Sequence, residues 1–239
     1  MSGLLSGSAV SDTTSLKKQI KKYVTPELVE AIAKEHAKNR KLFVVTTHFD
    51  AMRPMIWDIG EIASNRGKDA APLIVKLILA SASIPVLFPP VPIERKINDK
   101  HFTELHVDGG MTRSVFAYPA QISVKEVDRI QGLNFHRNVY VILNSNNRLP
   151  YEPASVDVLS IAERSTNGLL QNQANADIER IYYLAQRDGI NFNMIEIPDN
   201  FVADGATNFD PTYMKKLLEL GMEIGRKGSF WHDKPPAER

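Results

Sequence analysis

The sequence predicts an α/β fold with a largely parallel central sheet. Three observations carry this reading. Apolar, β-branched runs of strand length lie at residues 42–47, 138–143 and 191–197. Longer stretches with helical spacing lie between and after them, at 70–83, 156–188 and 210–228. Strands alternating with helices build parallel sheets that helices cover. No proline- or glycine-rich linker divides the chain, so residues 1–239 read as one domain, with 1–15 irregular.

The elements follow in order. Residues 17–23 are basic, with apolar Leu16, Ile20 and Val24 at helical spacing, and read as a short helix. Thr25-Pro26-Glu27 starts the next one: a hydroxyl cap, a proline where no N–H is needed, and an acid in the first turn. Leu28, Ala31 and Ile32 continue it. Residues 42–47 form a buried strand, residues 50–54 turn, and 55–57 return as a strand. Residues 70–83 are apolar on nearly every face, and their Ala and Leu content favours a buried helix. Pro85, Pro89 and Pro90 end it in an extended segment. Residues 101–107 alternate like a strand and run into Asp108-Gly109-Gly110. After the strand 138–143, residues 156–188 read as helix, with Gly168 a candidate break and Gly189 a C-cap. The strand 191–197 and a helix capped by Asp210-Pro211 complete the chain.

Composition removes several function classes. The chain is 43% hydrophobic and 24% charged, with 29 basic and 28 acidic residues, a soluble globular profile rather than a disordered one. A net charge of +1 supplies no broad field for nucleic acid. There is no cysteine, which excludes disulfides, thiolate zinc sites and cysteine nucleophiles. No apolar run reaches the roughly 18–20 residues of a membrane span. The start, Met1-Ser-Gly-Leu-Leu-Ser-Gly-Ser8, lacks the pattern of a signal peptide, so any targeting signal is expected upstream of Met1.

Four features are candidate sites. Glu104, His106 and Asp108 share one face of a strand, and His-x-Asp is the sequential half of a two-histidine, one-carboxylate metal site. The plainer alternative is a polar rim at a strand end. Asp108-Gly109-Gly110 puts a carboxylate where α/β sheets bind ligands, outside a strand's carboxyl end, followed by two residues that permit close approach. A tight turn that bonds its own backbone is the competing reading. Ser81 and Ser83 sit among small residues that allow close packing, and neither lies in a nucleophile elbow. The G-x-S-x-G, G-x-G-x-x-G and P-loop patterns are all absent. Lys17, Lys18, Lys21 and Lys22 form either a solvated helix face or a membrane-surface patch.

Taken in order, several segments resemble the second half of a bacterial patatin-like phospholipase. They are Tyr23-Val-Thr-Pro-Glu-Leu28, Thr46-Thr-His-Phe-Asp50 with Arg53-Pro54, Ala80-Ser-Ala-Ser-Ile-Pro85 with Phe88-Pro-Pro90, and His106-Val-Asp-Gly-Gly110. Ile181-Tyr182, Phe209-Asp-Pro-Thr-Tyr213 and Trp231-His232 extend the similarity, which runs from about Leu16 to Pro236. Each short segment is weak alone; their order and spacing are specific.

The resemblance implies a three-layer α/β/α fold and a lipid acyl hydrolase that works through a Ser–Asp dyad without metal or cofactor. It implies that Asp108, in the D-G-[AG] position, accepts the serine proton directly and returns it to the leaving alcohol. Ser83 and Pro85 become pocket wall. The family's serine elbow and glycine-rich oxyanion loop precede the segment that matches Leu16. The chain is therefore expected to be the C-terminal part of a catalytic domain, lacking the N-terminal strands and the nucleophile, and inactive alone. A catalytically inactive binding or scaffold module is the alternative. The expected partners are a lipid or phospholipid ester, a membrane surface, and either a second copy or the missing N-terminal half. The last pairing follows if strands at 42–45 or 139–143 are left with bare edges or uncovered apolar faces.

Overall fold

Short connections decide the sheet in the front part of the chain. The computed structural model describes residues 12–146, 151, 153, 155–201, 210–228 and 230–238. The chain divides into two compact units, Met1–Val115 with Pro153–Ala174, and Phe116–Glu152 with Asn175–Arg239.

The first unit begins with α1 (Thr14–Tyr23) and α2 (Pro26–Ala37). Thr14 and Ser15, expected to be irregular, already belong to α1; residues 1–11 lie outside the described residues. Thr25 caps α2, its hydroxyl accepting from Leu28 N–H at 3.3 Å, as the Thr-Pro-Glu sequence predicts. β1 (Phe43–His48) and β2 (Arg53–Asp58) are joined by a tight turn, in which His48 Nδ1 accepts from Ala51 N–H at 3.2 Å. α3 (Ile59–Asn65) and α4 (Ala70–Ser81) follow, then β3 (Val91–Ile97) and β4 (Lys100–Asp108).

These strands form one sheet in the order β2-β1-β4-β3, antiparallel at every pairing. The expectation of a largely parallel sheet is corrected here, and connection length is the reason at the β1–β2 and β3–β4 pairings. A parallel pair needs a crossover of about a dozen residues or more. β1–β2 and β3–β4 are hairpins instead. The β3–β4 turn is Asn98-Asp99, with φ of 47° and 62°, the doubly positive geometry that suits strand twist. β1 lies inside the sheet, but β4 pairs only with Thr46–His48, so Phe43–Val45 have a strand partner on the β2 side alone among the described residues.

Burial follows the period of two. On one face Val91 and Ile93 join Ile59, Ile74, Leu77 and Ala80 in the core, and α4 is the central helix of that core. Each fully buried aliphatic side chain stabilises the unit by roughly 1.5–3 kcal/mol. The other face exposes Phe43, Ile56 and Leu105.

The second unit holds α5 (Val124–Gln131), β5 (Asn138–Leu143), the latter half of α6 (Val158–Asp188), β6 (Asn191–Glu196) and α7 (Pro211–Lys227). Here the connection is long, and β5 and β6 pair in parallel from Asn138↔Asn191 to Leu143↔Glu196. α6 continues through Gly168 and ends at Gly189, whose φ is 69°. β5 is less buried than its composition suggests. Val141 is enclosed, but Tyr140 and Ile142 are exposed, and among the described residues β5 has a strand neighbour on one side only. Asp210 caps α7 by accepting from Tyr213 N–H at 2.8 Å; Phe209 lies outside the described residues. No helix among the described residues is long and apolar enough to cross a membrane.

Candidate functional site

β4 delivers the candidate residues. Its alternation puts Glu104, His106 and Asp108 on the face shared with Thr46 and His48, because Thr46 pairs with Asp108 and His48 with His106. β4 ends at Asp108, and the chain turns at once into a short 3₁₀ segment, Gly109–Met111.

Four contacts fix this turn. Asp108 N–H donates to the Ser83 carbonyl at 2.9 Å, tying the strand end to the segment after α4. Asp108 Oδ1 accepts from Gly110 N–H at 2.7 Å. Thr47 Oγ1 donates to the Asp108 carbonyl at 2.9 Å and meets Thr112 Oγ1 at 2.8 Å. The two glycines are required by space rather than by backbone angle. A Cβ on Gly109 would lie 2.5 Å from the Val45 carbonyl oxygen, and one on Gly110 would lie 2.9 Å from Asp108 Oδ1.

The Asp108 side chain is half-buried. Burial pushes its carboxyl above the usual carboxylate range, and the Gly110 N–H opposes this without cancelling it. Oδ1 is held by that N–H, and Oδ2 accepts no hydrogen bond among the described residues. The arrangement can therefore take up a proton on Oδ2 while the group keeps its orientation. The tight turn expected from the sequence is present, and its bond uses one carboxylate oxygen only.

Ser83 lies beside Asp108 but is fully buried, and its hydroxyl donates to the Leu79 carbonyl at 2.7 Å. Its proton is committed to the preceding helical turn. Pro85 is half-buried two residues on.

Glu104 and His106 gather a different set of neighbours. His106 is fully buried, with Nδ1 2.8 Å from Thr46 Oγ1 and Nε2 3.3 Å from Glu104 Oε2. The Trp57 indole donates to Thr46 Oγ1 at 2.8 Å. An indole only donates, so Thr46 accepts there, and its hydroxyl can still either donate to His106 Nδ1 or accept from it, as the histidine tautomer dictates. In the tautomer protonated on Nε2 the ring donates to Glu104. Burial pushes the His106 pKa below the ordinary histidine value, against the pull of Glu104. Arg95 and His48 approach the same Glu104 oxygen at 3.7 and 3.9 Å. Asp108 stands apart from this network. Among the described residues no group of three His, Asp or Glu side chains is placed to hold a metal, so the three-residue metal alternative does not fit the geometry.

Sequence reasoning missed Thr46, Thr47, Trp57 and Thr112 as supports of the strand end. The available signal was two adjacent threonines inside an otherwise apolar strand, both fully buried here.

A family model described as patatin-like phospholipase matches residues 1–120, a span that includes Ser83, Pro85 and Asp108–Gly110. No curated protein matches the chain.

Proposed function

Because the chain belongs to the patatin-like phospholipase family, a family of lipid acyl hydrolases, we propose that Asp108 is the proton acceptor of a Ser–Asp dyad acting on a lipid or phospholipid ester. One observation carries the proposal: a half-buried carboxylate at a strand end, oriented through Oδ1, with its affinity for protons raised by burial. In such a dyad the serine oxygen attacks the acyl carbonyl as its proton passes to Asp108 Oδ2. The tetrahedral intermediate collapses, the proton moves to the departing alcohol, and water then releases the acyl group by the same route. Ser83 and Pro85 contribute wall.

The serine is not among these 239 residues in a recognisable setting, since G-x-S-x-G is absent. We therefore assign the dyad's nucleophile and oxyanion donors to residues outside this sequence and expect the chain alone to be inactive. That same absence favours the second reading, an inactive patatin-like binding or scaffold module. Under the first reading residues 1–239 all belong to a catalytic domain. Exposed Tyr140 and Ile142 on one face of β5, its edge without a strand neighbour among the described residues, and Phe43, Ile56 and Leu105 on the first sheet support association with a missing half or with another copy.

The test is expression of the chain with the in-frame coding sequence that precedes Met1. If that sequence adds a G-x-S-x-G elbow, a short-chain ester should be hydrolysed, and Asp108→Asn should lower turnover by roughly 10³–10⁴-fold. Turnover unchanged by Asp108→Asn would remove the base assignment. Absence of an elbow and of all activity would favour the binding module.

A further inference from the structure

Several lysines of this chain have an acid about one turn away: Lys34 on α2 meets Glu30 at 2.7 Å, Lys38 at the end of α2 meets Glu35 at 2.8 Å, and Lys227 on α7 meets Glu223 at 2.7 Å. On α1 the positions that an acid would occupy carry lysine instead. Lys17 faces Lys21 and Lys18 faces Lys22 at i, i+4, and the helix contains no acidic residue. Like charges at this spacing destabilise a helix. Lys17 and Lys18 also lie in the first half of α1, where the helix dipole disfavours cations. All four side chains are exposed, and none has an acidic partner among the described residues. Lys22 makes only a 5.9 Å approach to the ring of Tyr23. The helix holds because Ile20 and Val24 are buried in the core and Leu16 packs against it.

The lysines occupy an arc of about 140° at 100° per residue, opposite the buried edge. A chain whose net charge is only +1 thus concentrates four unneutralised positive charges on less than two turns of one helix. From this charge arrangement we infer that α1 is a docking face for an anionic phospholipid surface. The face is electrostatic, with the exposed ring of Tyr23 beside Lys22 at its end. The choice of lipid over another polyanion rests on the proposed lipid acyl-ester chemistry. The docking itself requires no catalysis.

The experiment is co-sedimentation of the full chain with vesicles of phosphatidylcholine alone or of phosphatidylcholine with about one-third phosphatidylglycerol, at low and high salt. Each lysine near the surface contributes about fivefold to binding. Replacing all four with Gln should weaken binding to the anionic vesicles by roughly two to three orders of magnitude, and salt should do the same to the wild type. The matched control, Lys34→Gln with Lys38→Gln on α2, should leave binding within about threefold. Circular dichroism checks that every variant is folded. Equal binding to both vesicles, retention by the four-Gln variant, or capture of duplex DNA without capture of vesicles would each overturn the inference. Vesicle binding involves no ester cleavage, so failure here leaves the Asp108 assignment standing, and loss of that assignment leaves this one.

Discussion

Gly109→Ala probes the turn that presents Asp108. The added Cβ would sit 2.5 Å from the Val45 carbonyl oxygen, 2.9 Å from its carbon and 3.1 Å from the Val45 Cβ. Ordinary contact begins at 3.4 Å, so about 0.9 Å of separation has to be found. The obstacle is backbone in β1, where Val45 pairs with Ile56 of β2 and β4 joins from Thr46 onward. The strand is anchored at and next to this point, so the 3₁₀ turn has to move, and Asp108 moves with it. Overpacking of this kind costs about 1–3 kcal/mol. For a chain of this size each kcal/mol lowers Tm by about 2–4 °C, which gives a fall of roughly 2–12 °C. Thermal denaturation followed by circular dichroism reads the effect. Gly132→Ala is the control: nothing lies within 4 Å of its new Cβ, so only the strain of φ 66° is added, about 1–2 kcal/mol. A Gly109→Ala protein melting within a degree of wild type would refute the close approach and the rigidity ascribed to the turn.

Three other perturbations follow from the same strand. Thr46→Val keeps the shape but leaves the Trp57 indole and His106 Nδ1 unpartnered, and should cost about 2–4 kcal/mol in urea unfolding; Thr46→Ser should cost less than about 1. Equal losses for the two variants would contradict the network. Ser83→Ala should change stability by no more than about 1 kcal/mol, since the Leu79 carbonyl also accepts from Ala82 N–H, and should leave the turnover of any complete enzyme within a few-fold. A loss on the scale of a nucleophile would make Ser83 chemical. Burial holds the folded-state pKa of His106 below 6.5, so the folded chain favours the neutral ring. That contribution is complete above the unfolded value and is lost as pH falls through the folded one. Between about pH 7.5 and pH 5.5 the urea midpoint should fall further in wild type than in His106→Gln. Parallel falls would show that His106 is not the group responsible.

Local signals carried the elements well and the pairing poorly. Thr25-Pro26-Glu27 and Asp210-Pro211 start helices because each supplies a cap and a residue that needs no N–H. Residues 70–83 read as a buried helix because their apolar character outlasts a strand, and α4 is the core helix. Two shorter helices went unread although their capping boxes are present: Asp58 accepts from Glu61 N–H at 3.0 Å, and Ser123 from Glu126 N–H at 3.2 Å. Sheet direction was misjudged because β3 was read only as a continuation of a proline-rich extended segment. Once Asn98-Asp99 is recognised as a hairpin turn, β3 and β4 have to be antiparallel. The place of Asp108 at the end of a strand is legible from an alternating pattern that runs into two glycines. The hydroxyls of Thr46 and Thr47 are not, because their role depends on cross-strand register, which local sequence does not encode.

Under the proposed function these 239 residues carry the base of an acyl-ester hydrolase and not its nucleophile. Exposure of the isolated chain to a serine-directed fluorophosphonate, with mass spectrometry of the intact protein and turnover of a short-chain ester measured in parallel, tests it most directly. The account predicts no covalent adduct and no hydrolysis above an Asp108→Asn control. An adduct at Ser81, Ser83 or any other serine, accompanied by ester turnover that the reagent abolishes, would contradict it.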